Sequence, residues 1–175
     1  MPHLIKFNNY YPFIANEVFI ASGCHIIGDV EIGEGSSIWY NSVIRGDVCP
    51  IRIGKMSNIQ DGTVIHVTRQ TGPTFIGDYV TIGHKAMIHA CTIKDYGFVG
   101  MNATLLDGVI VESFAMVAAG SVVPPKKIVK TNEIWAGNPA KFLRYLTDEE
   151  QDYIKQSAIN YFNLSQVYLN QNKHV

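Results

Sequence analysis

Residues 20–44 read IASGCHIIGDVEIGEGSSIWYNSVI, and isoleucine occupies every sixth position of this stretch. The series continues after a slip of three residues beyond Ile44, an insertion of five beyond Ile65 and a deletion of one beyond Ile88. All 17 positions carry Ile, Val or Leu: Ile20, Ile26, Ile32, Ile38, Ile44, Ile53, Ile59, Ile65, Ile76, Ile82, Ile88, Ile93, Val99, Leu105, Val111, Val117 and Val123. A fixed short period over so much of the chain indicates a stacked repeat architecture.

The six-residue period predicts a short strand and a tight corner in each unit. The aliphatic side chain fills the interior, and the residue four places later is nearly always small or β-branched, as at Ser36, Ser42 and Thr63. Glycine often follows the aliphatic residue, as at Gly54 and Gly100, and we expect it to relieve the backbone near the corner. Three units make one triangular coil, so 17 units make almost six coils that share one core.

Other fold classes fit this pattern less well. An amphipathic helix needs apolar partners three and four residues apart, which a six-residue step does not supply. A sandwich or an ordinary barrel has longer strands at a spacing of roughly 8–12 residues. We therefore predict an all-β fold, a parallel β-helix shaped as a triangular prism, with one α-helix packed alongside.

The chain divides into four predicted segments. Residues 1–19 lead into the prism, 20–123 form the repeat, 124–146 form a return loop and 147–170 form a C-terminal helix. Thr147 and Glu150 have the spacing of a capping box at the start of this helix. Apolar residues such as Ile154 and Ala158 then recur near helical spacing, so the helix should pack on a β-helix, its own or a neighbour's.

The composition narrows the class of partner. The 14 basic and 15 acidic residues give a formal net charge of −1, which argues against a nucleic-acid-binding protein with a concentrated basic face. Only 17% of the residues are charged and 47% are hydrophobic, as expected if part of the surface is buried between subunits.

The expected compartment is the cytoplasm. The N-terminal residues MPHLIKFNNYYPF lack a signal-peptide pattern, and no apolar run reaches the length of about 20 residues that a membrane span needs. Cys24, Cys49 and Cys91 are widely spaced and odd in number, so we predict neither a disulfide framework nor a cysteine zinc site.

Three histidines lie inside the repeat at related positions. His66 and His89 each follow the aliphatic residue, in units three apart, so they should stack on adjacent coils at about 4.8 Å. Two imidazoles at this spacing can bind one metal ion. His84 lies two places after Ile82 on the preceding face, from which it should reach a metal held by a neighbouring subunit. Closure by rotation then predicts a homotrimer with shared sites.

Polar residues near these histidines occupy related positions in the repeat. Arg45 lies in the same column as His66 and His89, and Asp47 follows two residues later. Asp61 should stack with His84, and Gln60 precedes it.

Three neutral imidazoles leave one open position on a tetrahedral zinc ion. Water bound there has a pKa of roughly 7, so a zinc-bound hydroxide becomes available to attack carbon dioxide or a thioester carbonyl. Iron(II) and cobalt(II) also suit imidazole ligands.

The motifs RGD at 45–47, NIQDG at 58–62 and GHKAMIH at 83–89, together with His66, resemble the γ-class carbonic anhydrases. The resemblance covers nearly the whole chain, including NPAK at 138–141 and the terminal helix. It implies a left-handed β-helix and a homotrimer that binds zinc through His66, His84 and His89, with His84 donated across the interface.

The resemblance also implies roles for five further residues. Arg45 and Asp61 would form an ion pair between subunits, with Asp47 nearby, and Gln60 would contact the zinc-bound water or bicarbonate. Tyr161 would approach the site from the terminal helix, in its own or a neighbouring subunit. Purely structural readings stay open for the ion pair, for Gln60 and for Tyr161.

Four functions stay open. The preferred one is a zinc lyase that interconverts carbon dioxide and bicarbonate; the others are a metal-dependent thioesterase, a hexapeptide acyltransferase and a non-catalytic assembly subunit. An acyltransferase typically needs one histidine as a general base and no metal, so three clustered histidines argue against it. The insertion VTRQTGPT at 67–74 lacks the carboxylates that shuttle protons in the prototype of the family.

Overall fold

The fold is a left-handed parallel β-helix of about seven turns with an α-helix packed alongside. The hexapeptide period predicts the parallel β-helix, and the family resemblance implies its left hand. The structure is a computed structural model that describes residues 1–171. Its elements are β1 (His3–Ile5), β2 (Phe13–Ile14), β3 (Phe19–Ile20), β4 (His25–Ile32), β5 (Ser37–Ile38), β6 (Val43–Ile53), β7 (Asn58–Ile59), β8 (Val64–His66), β9 (Thr74–Ile76), β10 (Thr81–Ile82), β11 (Met87–His89), β12 (Thr92–Ile93), β13 (Phe98–Val99), β14 (Thr104–Leu105), β15 (Ile110–Val111), β16 (Met116–Val117), β17 (Val122–Val123), β18 (Ile128–Val129), β19 (Glu133–Gly137), β20 (Ala140–Tyr145) and α1 (Asp148–Gln171).

The prism has three faces, each built on a column of inward aliphatic residues that are in register between coils. The first face carries Ile26, Ile44, Ile65, Ile88, Leu105 and Val123. The second carries Ile32, Ile53, Ile76, Ile93, Val111 and Val129. The third carries Ile20, Ile38, Ile59, Ile82, Val99 and Val117. Nearly all are fully buried, and each contributes about 1.5–3 kcal/mol of burial free energy.

Small residues at the corners do more than save space. The hydroxyls of Ser36, Ser42 and Ser57 donate to backbone carbonyl oxygens of the next coil at 2.7, 3.0 and 2.8 Å. Each of these serines is at most 1% exposed. The hydroxyl therefore satisfies a buried carbonyl and ties one coil to the next.

The glycines that follow the aliphatic residues have a different role from the one expected. Gly54 and Gly100 do not adopt a positive φ, so they do not relieve a strained corner. Instead, a Cβ at Gly100 would lie 2.4 Å from the backbone nitrogen of Ala119 in the next coil. These positions require glycine because two backbones approach closely, and the expectation of conformational relief is wrong.

Strands extend beyond both predicted borders of the repeat. Before residue 20, β1 and β2 pair with β4. After residue 123, β18 continues the second face, and β19 continues the third face and pairs antiparallel with β20. The predicted return loop at 124–146 thus contains three strands. Ile14 lies six residues before Ile20 and Val129 six residues after Val123, so β2 and β18 continue the six-residue period.

Helix α1 packs on the third face of its own prism, against β3, β5, β7 and β10. Its buried residues are Ile154, Ser157, Ala158 and Ser165. Within one chain, the helix therefore packs on its own β-helix.

The predicted capping box is present. The Thr147 hydroxyl accepts the Glu150 amide at 3.2 Å, and the Glu150 carboxylate accepts the Thr147 amide at 2.9 Å. Arg144 also donates to both carboxylate oxygens of Glu150 at 2.7 and 2.8 Å. Hydrogen bonds from Arg144 first, then from the Thr147 amide, lower the pKa of Glu150 to about 2.

Replacing Thr147 with alanine should destabilise the protein by about 1 kcal/mol, because the helix loses its cap. The stabilisation from Glu150 should be complete above its ordinary pKa of 4.5 and fade as the pH falls towards 2, since the folded-state pKa is lowered. Denaturant titrations of wild type and Thr147→Ala at neutral and acidic pH measure both effects. Thr147→Ser should keep the stability, and an equal loss in that variant would contradict the capping role.

Across residues 1–171, no helix has both the length and the apolar character that crossing a bilayer requires.

Candidate metal centre

His66 and His89 stack on the first face, as their repeat positions predict. They are register partners at the ends of β8 and β11. Nδ1 of His66 lies 3.3 Å from Nε2 of His89, and the ring centroids are 5.2 Å apart. One nitrogen of each ring therefore faces the other ring.

The other nitrogen of each ring faces a carboxylate. Nε2 of His66 lies 3.1 Å from Asp47 Oδ1, and Nδ1 of His89 lies 2.7 Å from Asp107 Oδ1. A neutral imidazole that donates to a carboxylate keeps a lone pair on its opposite nitrogen. In the neutral forms, two lone pairs then face each other, and a cation between them would remove their repulsion.

The spacing fits a metal ion. Two nitrogens bound tetrahedrally to zinc at 2.0–2.1 Å lie about 3.3–3.4 Å apart, and the facing nitrogens of His66 and His89 are separated by 3.3 Å. Carboxylates behind the imidazoles are the usual outer partners of metal-binding histidines.

The electrostatics keep His66 neutral. Burial is the largest effect on the pKa of His66 and lowers it, and the positive charge of Arg45 lowers it further. Asp47 raises this pKa, but the pKa of His66 stays below its ordinary value. Burial alone would raise the pKa of Asp47, but hydrogen bonds from His66 and Arg45 lower it overall. The site therefore presents an uncharged nitrogen ligand supported by an anionic carboxylate.

His84 lies at a different corner of the same chain. It follows β10 on the third face, and its Nδ1 is 2.7 Å from Asp61 Oδ2. Among residues 1–171, no three His, Cys, Asp or Glu side chains are arranged to hold a metal ion. A single chain therefore brings together two of the three predicted ligands and keeps the third apart.

Arg45 and Asp61 do not pair within the chain. Arg45 forms an ion pair with Asp47, and Asp61 contacts His84. The Arg45 side chain is 44% exposed and that of Asp61 is 42% exposed, so both are accessible on the isolated subunit.

A cleft of about 470 Å³ adjoins His84 between the third face and α1. Gln60 and Tyr161 line it together with His84. Burial, and then the charge of Asp61, raise the pKa of Tyr161, so its phenol stays protonated near neutral pH. The structure thus places both residues beside the chain's own His84.

The Gln60 side chain is held by a buried chain of hydrogen bonds. Its Nε2 donates to Asn58 Oδ1 at 3.0 Å, and Asn58 Nδ2 donates to Thr81 Oγ1 at 2.9 Å. Thr81 Oγ1 lies 3.1 Å from Ser157 Oγ of α1. This network fixes the amide of Gln60 at the edge of the cleft.

Comparison with known proteins identifies the family. Residues 11–46 match the model named Bacterial transferase hexapeptide (six repeats). A Methanocaldococcus jannaschii protein named probable carbonic anhydrase is 48% identical over 153 residues, covering 87% of this chain and 96% of that protein. The chain belongs to the γ-carbonic anhydrase family.

Other γ-carbonic anhydrase relatives differ in length. Gamma carbonic anhydrase 2, mitochondrial, of Arabidopsis thaliana is 55% identical over an alignment of 166 residues, and the match covers 92% of this chain. The chain spans 60% of the length of that relative. Among solved structures, a hexapeptide transferase family protein from Anaplasma phagocytophilum has a TM-score of 0.92 and 48% identity, with 95% of this chain and 98% of that chain covered.

The sequence did not predict two contacts of the candidate site. Asp107 lies two residues after Leu105, on the coil next to His89, so its repeat position was a usable signal. Asn58 was part of a quoted motif, but its buried bond to Gln60 depends on side-chain orientation and has no sequence signal.

Proposed function

We propose that this chain is a metal-dependent carbonic anhydrase that interconverts carbon dioxide and bicarbonate at sites shared between the subunits of a homotrimer. The observation that carries the proposal is the pair of facing nitrogens of His66 and His89, 3.3 Å apart and each supported by a carboxylate. His84 has the same support from Asp61 and supplies the third ligand.

The positions of the histidines support sharing between subunits. His84 follows a third-face strand and His89 ends a first-face strand, so the two border the first face at opposite edges. When first faces pack around a threefold axis, the His84 edge of one subunit meets the His66 and His89 edge of the next.

The three imidazoles suit zinc, and they also suit iron(II) or cobalt(II). A divalent metal ion bound there supplies Lewis acidity, which makes water a nucleophile near neutral pH. Arg45 helps to keep His66 neutral, Asp47 orients its ring, and Asp61 orients His84 through its Nδ1. In the assembled trimer, Arg45 and Asp61 pair across the interface.

Gln60 and Tyr161 orient the small substrate. Gln60 is 5% exposed and is held by Asn58, so its amide is preorganised for hydrogen bonding to carbon dioxide or bicarbonate. The protonated phenol of Tyr161 is a hydrogen-bond donor in the same cleft. The cytoplasmic location stays a prediction, and the Arabidopsis relative is named as mitochondrial.

Stopped-flow measurement of carbon dioxide hydration tests the proposal. Protein purified without chelator should hydrate carbon dioxide, lose this activity on chelation and regain it with zinc, iron(II) or cobalt(II). Gln60→Ala should keep its metal and lose roughly 10–100-fold in kcat/KM, because about 1.4–2.7 kcal/mol of orientation is lost. Phe142→Ala, on the exposed strand β20, is the matched control and should retain activity.

Parallel assays separate the alternatives. Chelator-sensitive thioester hydrolysis without carbon dioxide hydration would favour the thioesterase, and acyl transfer that resists chelation would favour the acyltransferase. A trimer that holds metal but catalyses neither hydration nor hydrolysis would favour the assembly subunit.

A further inference from the structure

The inserted hairpin at 67–74 contacts the strands of both stacked histidines. At one end, the Thr68 hydroxyl donates to Asp107 Oδ2, and Asp107 Oδ1 accepts from His89 Nδ1 at 2.7 Å. At the other end, the Thr74 hydroxyl donates to the backbone carbonyl of His66 at 2.7 Å. The insertion is therefore connected to the surroundings of both imidazoles.

Backbone hydrogen bonds close the hairpin, and its ends are buried. Thr68 and Gly72 form an antiparallel bridge, with N–H···O distances of 2.9 and 3.2 Å. Val67 and Thr74, its first and last residues, are at most 1% exposed. A Cβ at Gly72 would lie 2.8 Å from the Cβ of Ala90, the residue after His89, so the hairpin rests directly on this strand.

The carboxylate of Asp107 is restrained at both oxygens. Its side chain is 47% exposed, so its position depends on these hydrogen bonds more than on packing. The arrangement of Thr68 and Asp107 behind His89 is similar to the one behind His66. There, Arg45 binds Asp47 Oδ2 while Asp47 Oδ1 contacts the imidazole.

We propose that Asp107, held by Thr68, is a positioning residue that fixes the tautomer and ring orientation of His89, so that the inserted hairpin sets the affinity of the metal site. This inference rests on the proposed function for its metal. An imidazole bound through Nδ1–H to Asp107 directs its Nε2 lone pair towards Nδ1 of His66. Without the acceptor, both tautomers become accessible and the ring can rotate about a broad χ2 torsion.

Metal affinity is the first readout. Competition with a chromophoric zinc chelator should show that Asp107→Ala weakens zinc binding about 10–100-fold, the usual effect of losing an outer carboxylate partner. Asp107→Asn keeps one acceptor oxygen, so its affinity for zinc should lie between those of wild type and Asp107→Ala. Thr68→Val should weaken binding to a smaller extent, and Thr68→Ser should restore it.

Asp95→Ala is the matched control. Asp95 also lies two residues after the aliphatic residue of its unit, but its Oδ1 accepts a backbone N–H from Asp78 at 2.9 Å. This variant should bind zinc as wild type does. Equal affinities for Asp107→Ala and Asp95→Ala, in trimers of unchanged melting temperature, would overturn the inference.

A second readout needs no metal. In metal-free protein with ¹⁵N-labelled histidine at about pH 9, where ordinary imidazoles are neutral, His89 should be in the Nδ1–H form. It should shift towards a mixture of tautomers in Asp107→Ala, and an unchanged spectrum would overturn the positioning role. Absence of zinc binding by wild type would instead refute the proposed function and the link to affinity, and the spectrum alone would then decide the role of Asp107.

Discussion

Chains that carry His84→Ala and chains that carry His66→Ala should each assemble without bound metal and without carbon dioxide hydration. When the two variants are unfolded, mixed in equal amounts and refolded together, metal binding and activity should return. Each interface needs His84 from one subunit and His66 with His89 from its neighbour. Random assembly therefore restores about one quarter of the wild-type sites.

The reason lies in the separation of the ligands on the prism. His66 and His89 are in register on the first face, whereas His84 contacts Asp61 at the corner that follows the third face. A mixed trimer can combine an intact His84 from one variant with an intact histidine pair from the other. A site built within one chain could not be restored in this way.

Elemental analysis and stopped-flow assays of the mixture measure the recovery. His25→Ala, which changes a histidine outside the proposed site, is the control and should keep full metal content. A mixture that stays without metal, although both variants form trimers, would show that the three ligands do not meet between subunits.

Replacing Ile93 with alanine should lower the free energy of unfolding by about 2–5 kcal/mol, and Ile93→Val should lower it by about 0.5–1.5 kcal/mol. Ile93 is 1% exposed and stacks between Ile76 and Val111 on the second face. The alanine leaves a cavity in the shared core. The change also weakens the interface between neighbouring coils, on which a repeat protein depends.

Denaturant unfolding at one fixed protein concentration measures this effect, since the stability of an oligomer depends on concentration. Ile128→Ala on the same face is the matched control. Ile128 is 45% exposed and points outward, so its loss should change stability by less than about 0.5 kcal/mol. Similar losses at Ile93 and Ile128 would contradict an inward column on the second face.

Much of the site follows from counting along the repeat. Because one coil equals three units, residues at the same position three units apart stack, and this predicts the contact of His66 with His89. The same reasoning separates His84 from that pair and places it beside Asp61. The ligand set and the trimer themselves stay predictions until metal and assembly are measured.

The sequence by itself determined the features that depend on period and local chemistry. These are the inward aliphatic columns, the parallel register between coils and the capping box of α1, which was predicted to begin at 147 and begins at Asp148. A hexapeptide period directs one aliphatic side chain of each unit into the interior, and a cap involves neighbouring residues. Both can therefore be predicted without knowing the rest of the fold.

Only the tertiary structure decided what depends on contacts between coils. Gly100 is required by the backbone of Ala119 in the next coil, Asp107 meets His89 across 18 residues, and Thr68 reaches Asp107 across 39. The antiparallel pairing of β19 with β20 and the packing of α1 on the third face also depend on contacts between distant parts of the chain. The physical reason is that a corner side chain has several allowed rotamers and a loop several conformations. The adjacent coil selects one of them by sterics and hydrogen bonding.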